Sequence, residues 1–216
     1  MMPTIALFLA VLAADPTADR RDLLKTLHGE LVPIETRGSG LLPYAIGKYE
    51  VTQELWRAVM GDNRSRWKGA RNSVEMVTLA EAREFCDKAT KLAREAGLIE
   101  TSQRIRLPTE AEWEHAARAG TTTRYSFGDD AAELTKYGWY TGNAAGNDPP
   151  VGAKQPNPWG LYDVHGYLWE WTFDPAAAAG QGVVRGGSWK DAADLLVSAS
   201  RRVVSPALAD DAVGLR

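Results

Sequence analysis

The spacing of apolar positions changes character near residue 120. Before it, helical periods dominate. Leu79, Ala82, Phe85, Cys86, Ala89, Leu92, Ala93 and Ala96 recur every three or four residues, which is one face of a helix. Thr78 with Glu81 three residues on forms a capping box that sets its start; the helix runs to about Glu95 and stops at Gly97. A shorter helix is predicted over Gln53 to Met60, with Thr52 as N-cap and Gly61 as the left-handed terminator. A third follows Leu107-Pro108, opened by the capping box Thr109–Glu112 and closed by Gly120. It should turn Ala111, Trp113, Ala116 and Ala117 inward and leave His115 near the edge. Cys86 falls on an apolar face, where a cysteine behaves as a small buried hydrophobe.

Beyond Gly120 the helical period disappears. Gly, Pro, Asn and aromatic residues punctuate short strand-like runs at Arg124–Phe127, Gly182–Trp189, Ser198–Val204 and Val213–Arg216. The expected architecture is α+β: two to three helices packed beside a small, mainly antiparallel sheet, with long structured loops. At the other end, Ile5–Ala13 is a nine-residue apolar run, the length of a signal-peptide core and too short to span a bilayer. Residues 1–13 are read as a signal peptide, which implies an exported protein. The alternative is a buried terminal element of a cytoplasmic one, since Met1–Thr4 carries no Lys or Arg. Residues 14–41, with a short amphipathic piece at Arg21–His28, read as a tether, and 42–216 as one domain.

Composition narrows the function. The 216 residues carry 25 basic and 28 acidic side chains, a net charge of −3, without the basic excess of a nucleic-acid protein. No apolar window is long enough for a transmembrane helix. One cysteine excludes an intrachain disulfide and any thiolate-rich metal site. Eight Trp against four Phe, with 20 Gly, suit a loop-rich fold pinned by large rings.

Most catalytic signatures are missing: no dinucleotide or Walker glycine loop, no H-E-x-x-H, no G-x-S-x-G elbow. Ser188 has no histidine partner at a nucleophile's spacing. His28, His115 and His165 are scattered, His165 alone lying among acidic and aromatic residues. The densest constellation is Asn157 to Trp171. There Asp163 and Glu170 bracket a glycine-containing turn, and carboxylates with inward carbonyls are what Ca²⁺ selects. The same residues suit a plain turn in which Asp163 caps its own backbone and Glu170 pairs with an arginine. Spacing alone leaves both open.

Seven stretches, taken together, are highly specific: IGKYEVTQELWRAVMG (46–61), VEMVTLAEAREFCDKA (74–89), RLPTEAEWEHAARAGTTTRYSFGDD (106–130), WYTGN (139–143), PVGAKQPNPWGLYDVHGYLWEWTFD (150–174), VVRGGSW (183–189) and VGLR (213–216). In these the chain resembles the formylglycine-generating enzyme, or sulfatase-modifying factor, family over about Leu42 to Arg216. The resemblance implies a C-type-lectin-like fold. It also implies a Ca²⁺ held by side chains at Asp163 and Glu170 and by the carbonyls of Gly166 and Leu168.

The departures bear on activity. The family's oxidases hold copper with two cysteines after the Gly-Gly-Ser-Trp motif, and the matching positions here are Asp191 and Leu196. Cu(I) needs soft thiolates, so no copper is expected, and the chain is read as leaning away from an enzyme. Three functions follow. The first is a non-catalytic, exported domain binding a protein, peptide or glycan. The second is a formylglycine-generating or related maturation oxidoreductase after all. The third is a retroelement-diversified variable protein with a hypervariable segment at 190–212. Candidate ligand-binding residues are Trp189, Asp191, Asp194, Arg201 and Arg202, which flank the family's active groove. Trp189 has a role in the core open to it, and the two arginines could equally be paired with Asp or Glu.

Overall fold

The computed structural model describes residues 16–144, 148–173 and 180–216. The expected signal peptide, 1–13, lies outside them. Both capping boxes form. Thr78 accepts from Glu81 N (3.3 Å) while Glu81 accepts from Thr78 N (2.9 Å), opening α3, Leu79–Glu95. Thr109 and Glu112 do the same for α4, Glu110–Arg118. The helix before them, α2 (Gln53–Met60), starts at Thr52 and ends at Gly61, whose φ of 92° is left-handed. α4 differs slightly from expectation. Ala119 itself takes the left-handed turn (φ 48°), and Ala111 is exposed while Trp113, Ala116 and Ala117 are buried.

The segment expected as a tether is instead structured. It carries a helix, α1 (Pro16–Gly29), and a strand, β1 (Leu31–Pro33), which pairs antiparallel with β2 (Ala45–Gly47). Leu24 is buried in the main core, with Leu23 and Leu27 packed against it. Three leucines in a polar helix are a thin stripe, and their burial depends on the α2 and α3 surfaces they meet.

The main sheet has four strands in the order β5-β4-β3-β6. These are β3 (Trp169–Thr172), β4 (Gly182–Arg185), β5 (Arg201–Val204) and β6 (Val213–Gly214). β5–β4 and β4–β3 are antiparallel; β3–β6 is parallel, with Glu170 opposite both Arg185 and Gly214. Every residue of β3 and β4 is buried, so neither shows the two-residue alternation of a half-exposed strand. The expected strand at Arg124–Phe127 reduces to a single bridge, Tyr125–Gly128.

Trp56 stacks on Phe85 (5.2 Å between centroids) where α2 meets α3, and Trp171 donates to Val77 O (2.7 Å), so the helical layer is pinned to the sheet. A second cluster gathers Trp113, Ala116, Leu161 and Val164, and a third Tyr125, Leu134 and Leu196. α5 (Leu134–Tyr137) supplies Leu134 of that third cluster. Among the described residues no helix is long and apolar enough to cross a membrane.

Candidate functional site

The two positions that the resemblance gives to thiols are occupied in opposite ways. Asp191 is buried and its carboxylate is saturated. Oδ2 accepts from Trp169 Nε1 (2.8 Å), Ser188 N (3.0 Å) and Ser188 Oγ (2.5 Å), and Oδ1 from Arg202 (3.3 Å). Leu196 is fully buried, and its side chain fills the space between two glycines. A Cβ at Gly166 would stand 2.6 Å from Leu196 Cδ2, and one at Gly187 2.9 Å from Cδ1; both glycines also have left-handed φ, 108° and 80°. An engaged carboxylate and a packed aliphatic residue do not fit Cu(I). Ser188 donates to Asp191 and lacks the histidine partner of a serine nucleophile among the described residues.

His165 supports this packing from below. Its Nδ1 donates to Leu196 O (2.8 Å) and its Nε2 accepts from Ser126 N (3.0 Å). Burial pushes its pKa down to about 4, so it is a neutral structural histidine.

Of the remaining candidates, Arg202 contacts Asp191. Trp189 is half-buried and donates to Asp211 O (3.1 Å), while Asp194 is exposed. Arg201 grips Glu110 with two bonds, 2.6 and 3.0 Å. Arg202 lies over the Trp169 ring, 4.8 Å from its centroid, as well as on Asp191. Both arginines are therefore paired, yet both keep exposed side chains. Their strand, β5, is the sheet edge, where charge discourages pairing with another chain.

The expected calcium ligands lie at a separate buried centre. Glu170 Oε1 accepts from Arg216 Nε (3.1 Å) and Nη2 (2.8 Å); Oε2 accepts from Arg216 Nε (3.0 Å) and Trp113 Nε1 (2.7 Å). Three N–H groups make these four contacts, the single Nε–H of Arg216 being shared between the two oxygens. The same guanidinium donates to the carbonyls of Gly47, Lys48 and Tyr162. A positive group already lies against Glu170, in the position that a cation would have to take. Asp163 differs: Oδ2 accepts from Gly152 N (2.7 Å), while Oδ1 is buried without a partner. The set Asp163, Gly166, Leu168 and Glu170 therefore does not fit Ca²⁺ through its glutamate. Among the described residues no group of three or more His, Cys, Asp or Glu is arranged around a metal position.

Sequence reasoning missed Glu50, which joins this centre from the loop ahead of α2. It accepts from Leu168 N (3.2 Å) and bonds Ser73 Oγ. Burial, then repulsion from Glu170 and Asp163, raises its pKa well above the usual carboxylate range; burial takes Asp163 up to about 6. Only the apolar neighbours of Glu50 could have signalled its burial. Cys86 is buried as expected, its thiol pushed up to about 12 by burial. Two cavities of about 540 and 660 Å³ border it, and Trp189, Asp191 and Leu196 line neither.

Comparison with known proteins follows the same lines. Residues 28–216 match the family described as the Sulfatase-modifying factor enzyme 1-like domain. The chain is 32% identical over 200 residues to Chaperone protein LppX of Paenibacillus barcinonensis, covering 69% of this chain and 70% of that one. It is 32% identical over 183 residues to Inactive C-alpha-formylglycine-generating enzyme 2 of Bos taurus, covering 77% of this chain and 56% of the relative. Among solved structures, Treponema denticola variable protein 1 is similar at a TM-score of 0.69 and 28% identity, over 85% of this chain and 89% of that one. By its matched residues and its α+β, C-type-lectin-like fold, the chain belongs to the sulfatase-modifying factor family.

Proposed function

We propose that this chain is a non-catalytic, exported member of the family that binds a protein, peptide or glycan on the face around Trp189 and Arg202. One observation carries the reading. Where the family's oxidases place two thiols, this chain has a carboxylate engaged by four donors and a leucine packed into the core. The scaffold is kept and the metal-binding chemistry is not. The bovine relative named as inactive supports a family member without the oxidase reaction, and the Paenibacillus relative named as a chaperone supports a polypeptide ligand. The test is mass spectrometry of a cysteine-containing sulfatase-type peptide incubated with copper-loaded protein and oxygen. No aldehyde product is expected; its formation, absent from a heat-killed control, would make the chain a maturation oxidoreductase.

A second reading is a diversified variable protein, favoured by the likeness to the Treponema variable protein. In that case outward residues of 190–212 would vary between copies while Asp191 and Leu196 stayed fixed by their packing. Adenine-directed differences in a neighbouring copy of the coding segment are its signature.

A further inference from the structure

We propose that this binding face takes an acidic polypeptide segment. The inference rests on the binding role above and adds the partner's chemistry. It comes from a motif built three times. Arg66 lies over the Trp67 ring (5.1 Å to its centroid) and donates to Asp211 (3.1 Å). Lys190 lies over Trp189 (5.2 Å) and pairs with the same Asp211 and with Asp210. Arg202 lies over Trp169 (4.8 Å) and donates to Asp191 (3.3 Å). The couples are continuous. Trp189 donates to Asp211 O, Trp169 N donates to Ala212 O, and Trp169 Nε1 donates to Asp191.

The two arginine couples are layered the same way, and the lysine couple shares their buried Asp211. Asp211 and Asp191 are sunk, with side chains 6% and 10% exposed, while Arg66, Lys190 and Arg202 above them are 66%, 39% and 49% exposed; Asp210, 40% exposed, offsets part of the Lys190 charge and leaves the two arginines as the main outward cations. The buried charge roots each cation and the ring beneath aligns it, so less side-chain freedom remains to be lost on binding. A guanidinium has five N–H donors, and Arg66 and Arg202 each spend one on their aspartate, leaving donors facing out. This outward positive layer stands on a chain of net charge −3, so it is a local feature. Trp67, under Arg66, is 43% exposed and supplies apolar contact.

The partner that matches is a chain of carboxylates interspersed with apolar side chains, which offers acceptors to the cations and packing to the ring edges. A neutral glycan matches less well. Its hydroxyls ask for acceptors as well as donors, and the aspartates under the two arginines are buried.

The test uses the full chain and fluorescence anisotropy with a labelled peptide alternating Glu and Leu, against its Gln-for-Glu counterpart. Heparin and a neutral oligosaccharide serve as competitors. The acidic peptide should bind about tenfold more tightly than the amide one at low salt, and added salt should shrink that advantage. The double variant Arg66→Gln, Arg202→Gln should weaken acidic-peptide binding about tenfold without moving the melting temperature. Equal binding of the two peptides, or an unaffected double variant, overturns the proposal. Binding of heparin or the oligosaccharide but not the acidic peptide overturns the polypeptide class and leaves the binding role intact. Silence from every probe also overturns the acidic partner; aldehyde formation in the assay above would overturn the binding role itself.

Discussion

Two buried carboxylates, Glu170 and Asp191, are both satisfied by an arginine and a tryptophan indole, yet they do different work. Glu170 faces Arg216, and neither side chain touches solvent. Around the pair converge β3, β6, the β2 loop and the 161–163 turn, so the ion pair joins segments far apart in the chain. Asp191 faces Arg202, whose guanidinium side is open to water, and two of its other donors come from Ser188, three residues away. The first carboxylate holds the fold together. The second closes a local turn and fixes a cation at the surface. The same chemical pairing becomes scaffold or binding face according to which partner is buried.

Arg216→Ala tests the scaffold side most severely. It strands Glu170, already beside Glu50 and Asp163, and should cost about 3–5 kcal/mol in denaturant unfolding. If Asp191→Ala proved the more damaging substitution, the contrast would be reversed.

His165 bonds the Leu196 carbonyl and the Ser126 amide, and its protonation should loosen that packing. Its native pKa, about 4, is below the ordinary value of 6.5, so the unfolded chain binds the extra proton first. Its contribution is whole above pH 6.5 and is lost as pH falls toward 4, a drop of about 3 kcal/mol. Asp163 titrates in the opposite sense over an overlapping window, because its native pKa is raised to about 6. The measurement is therefore the stability difference between wild type and His165→Gln, which should narrow as pH falls from 7 to 4. A difference independent of pH would contradict the neutral-histidine assignment.

Asp191→Ala should cost about 1–3 kcal/mol, through the unpaired Trp169 indole and Ser188 amide. It should also release Arg202, seen as a loss of acidic-peptide binding larger than the loss of stability. The smallest expected effect is that of metal removal. With Glu170 engaged, EDTA and added Ca²⁺ should leave the melting temperature unchanged; a fall restored by Ca²⁺ would mean that an ion displaces Arg216 from the carboxylate.

Legibility in the sequence followed the range of the interactions. Thr78–Glu81 and Thr109–Glu112 act across three residues, and both helices begin where the sequence places them. β3 was hidden because Trp169 to Thr172 are buried on both faces, leaving no alternation to read. α1 was hidden because its three leucines are meaningful only against the surface that receives them. At the site, the loss of the thiols is visible in the letters Asp191 and Leu196, and the pairing of Glu170 with an arginine was one of two open readings. Which arginine, 46 residues away, could not be read from local spacing. The couples of Arg66 with Asp211 and Arg202 with Trp169 are equally non-local, so the layered face emerges only in three dimensions.

Arg216 also has a temporal consequence. Its bonds to Gly47 and Lys48 close a loop of 169 and 168 residues, and Val51 receives its backbone partner from Leu215. Contacts of such separation form slowly, because loop closure must precede any reward from them. During synthesis, which proceeds from the N-terminus, Glu50, Asp163 and Glu170 must all emerge before their common cation does. Until then the three carboxylates have every reason to stay hydrated, and the segments that carry them to stay apart. The domain is thus built to close late, its polar centre sealed by a residue 46 positions beyond the carboxylate it neutralises.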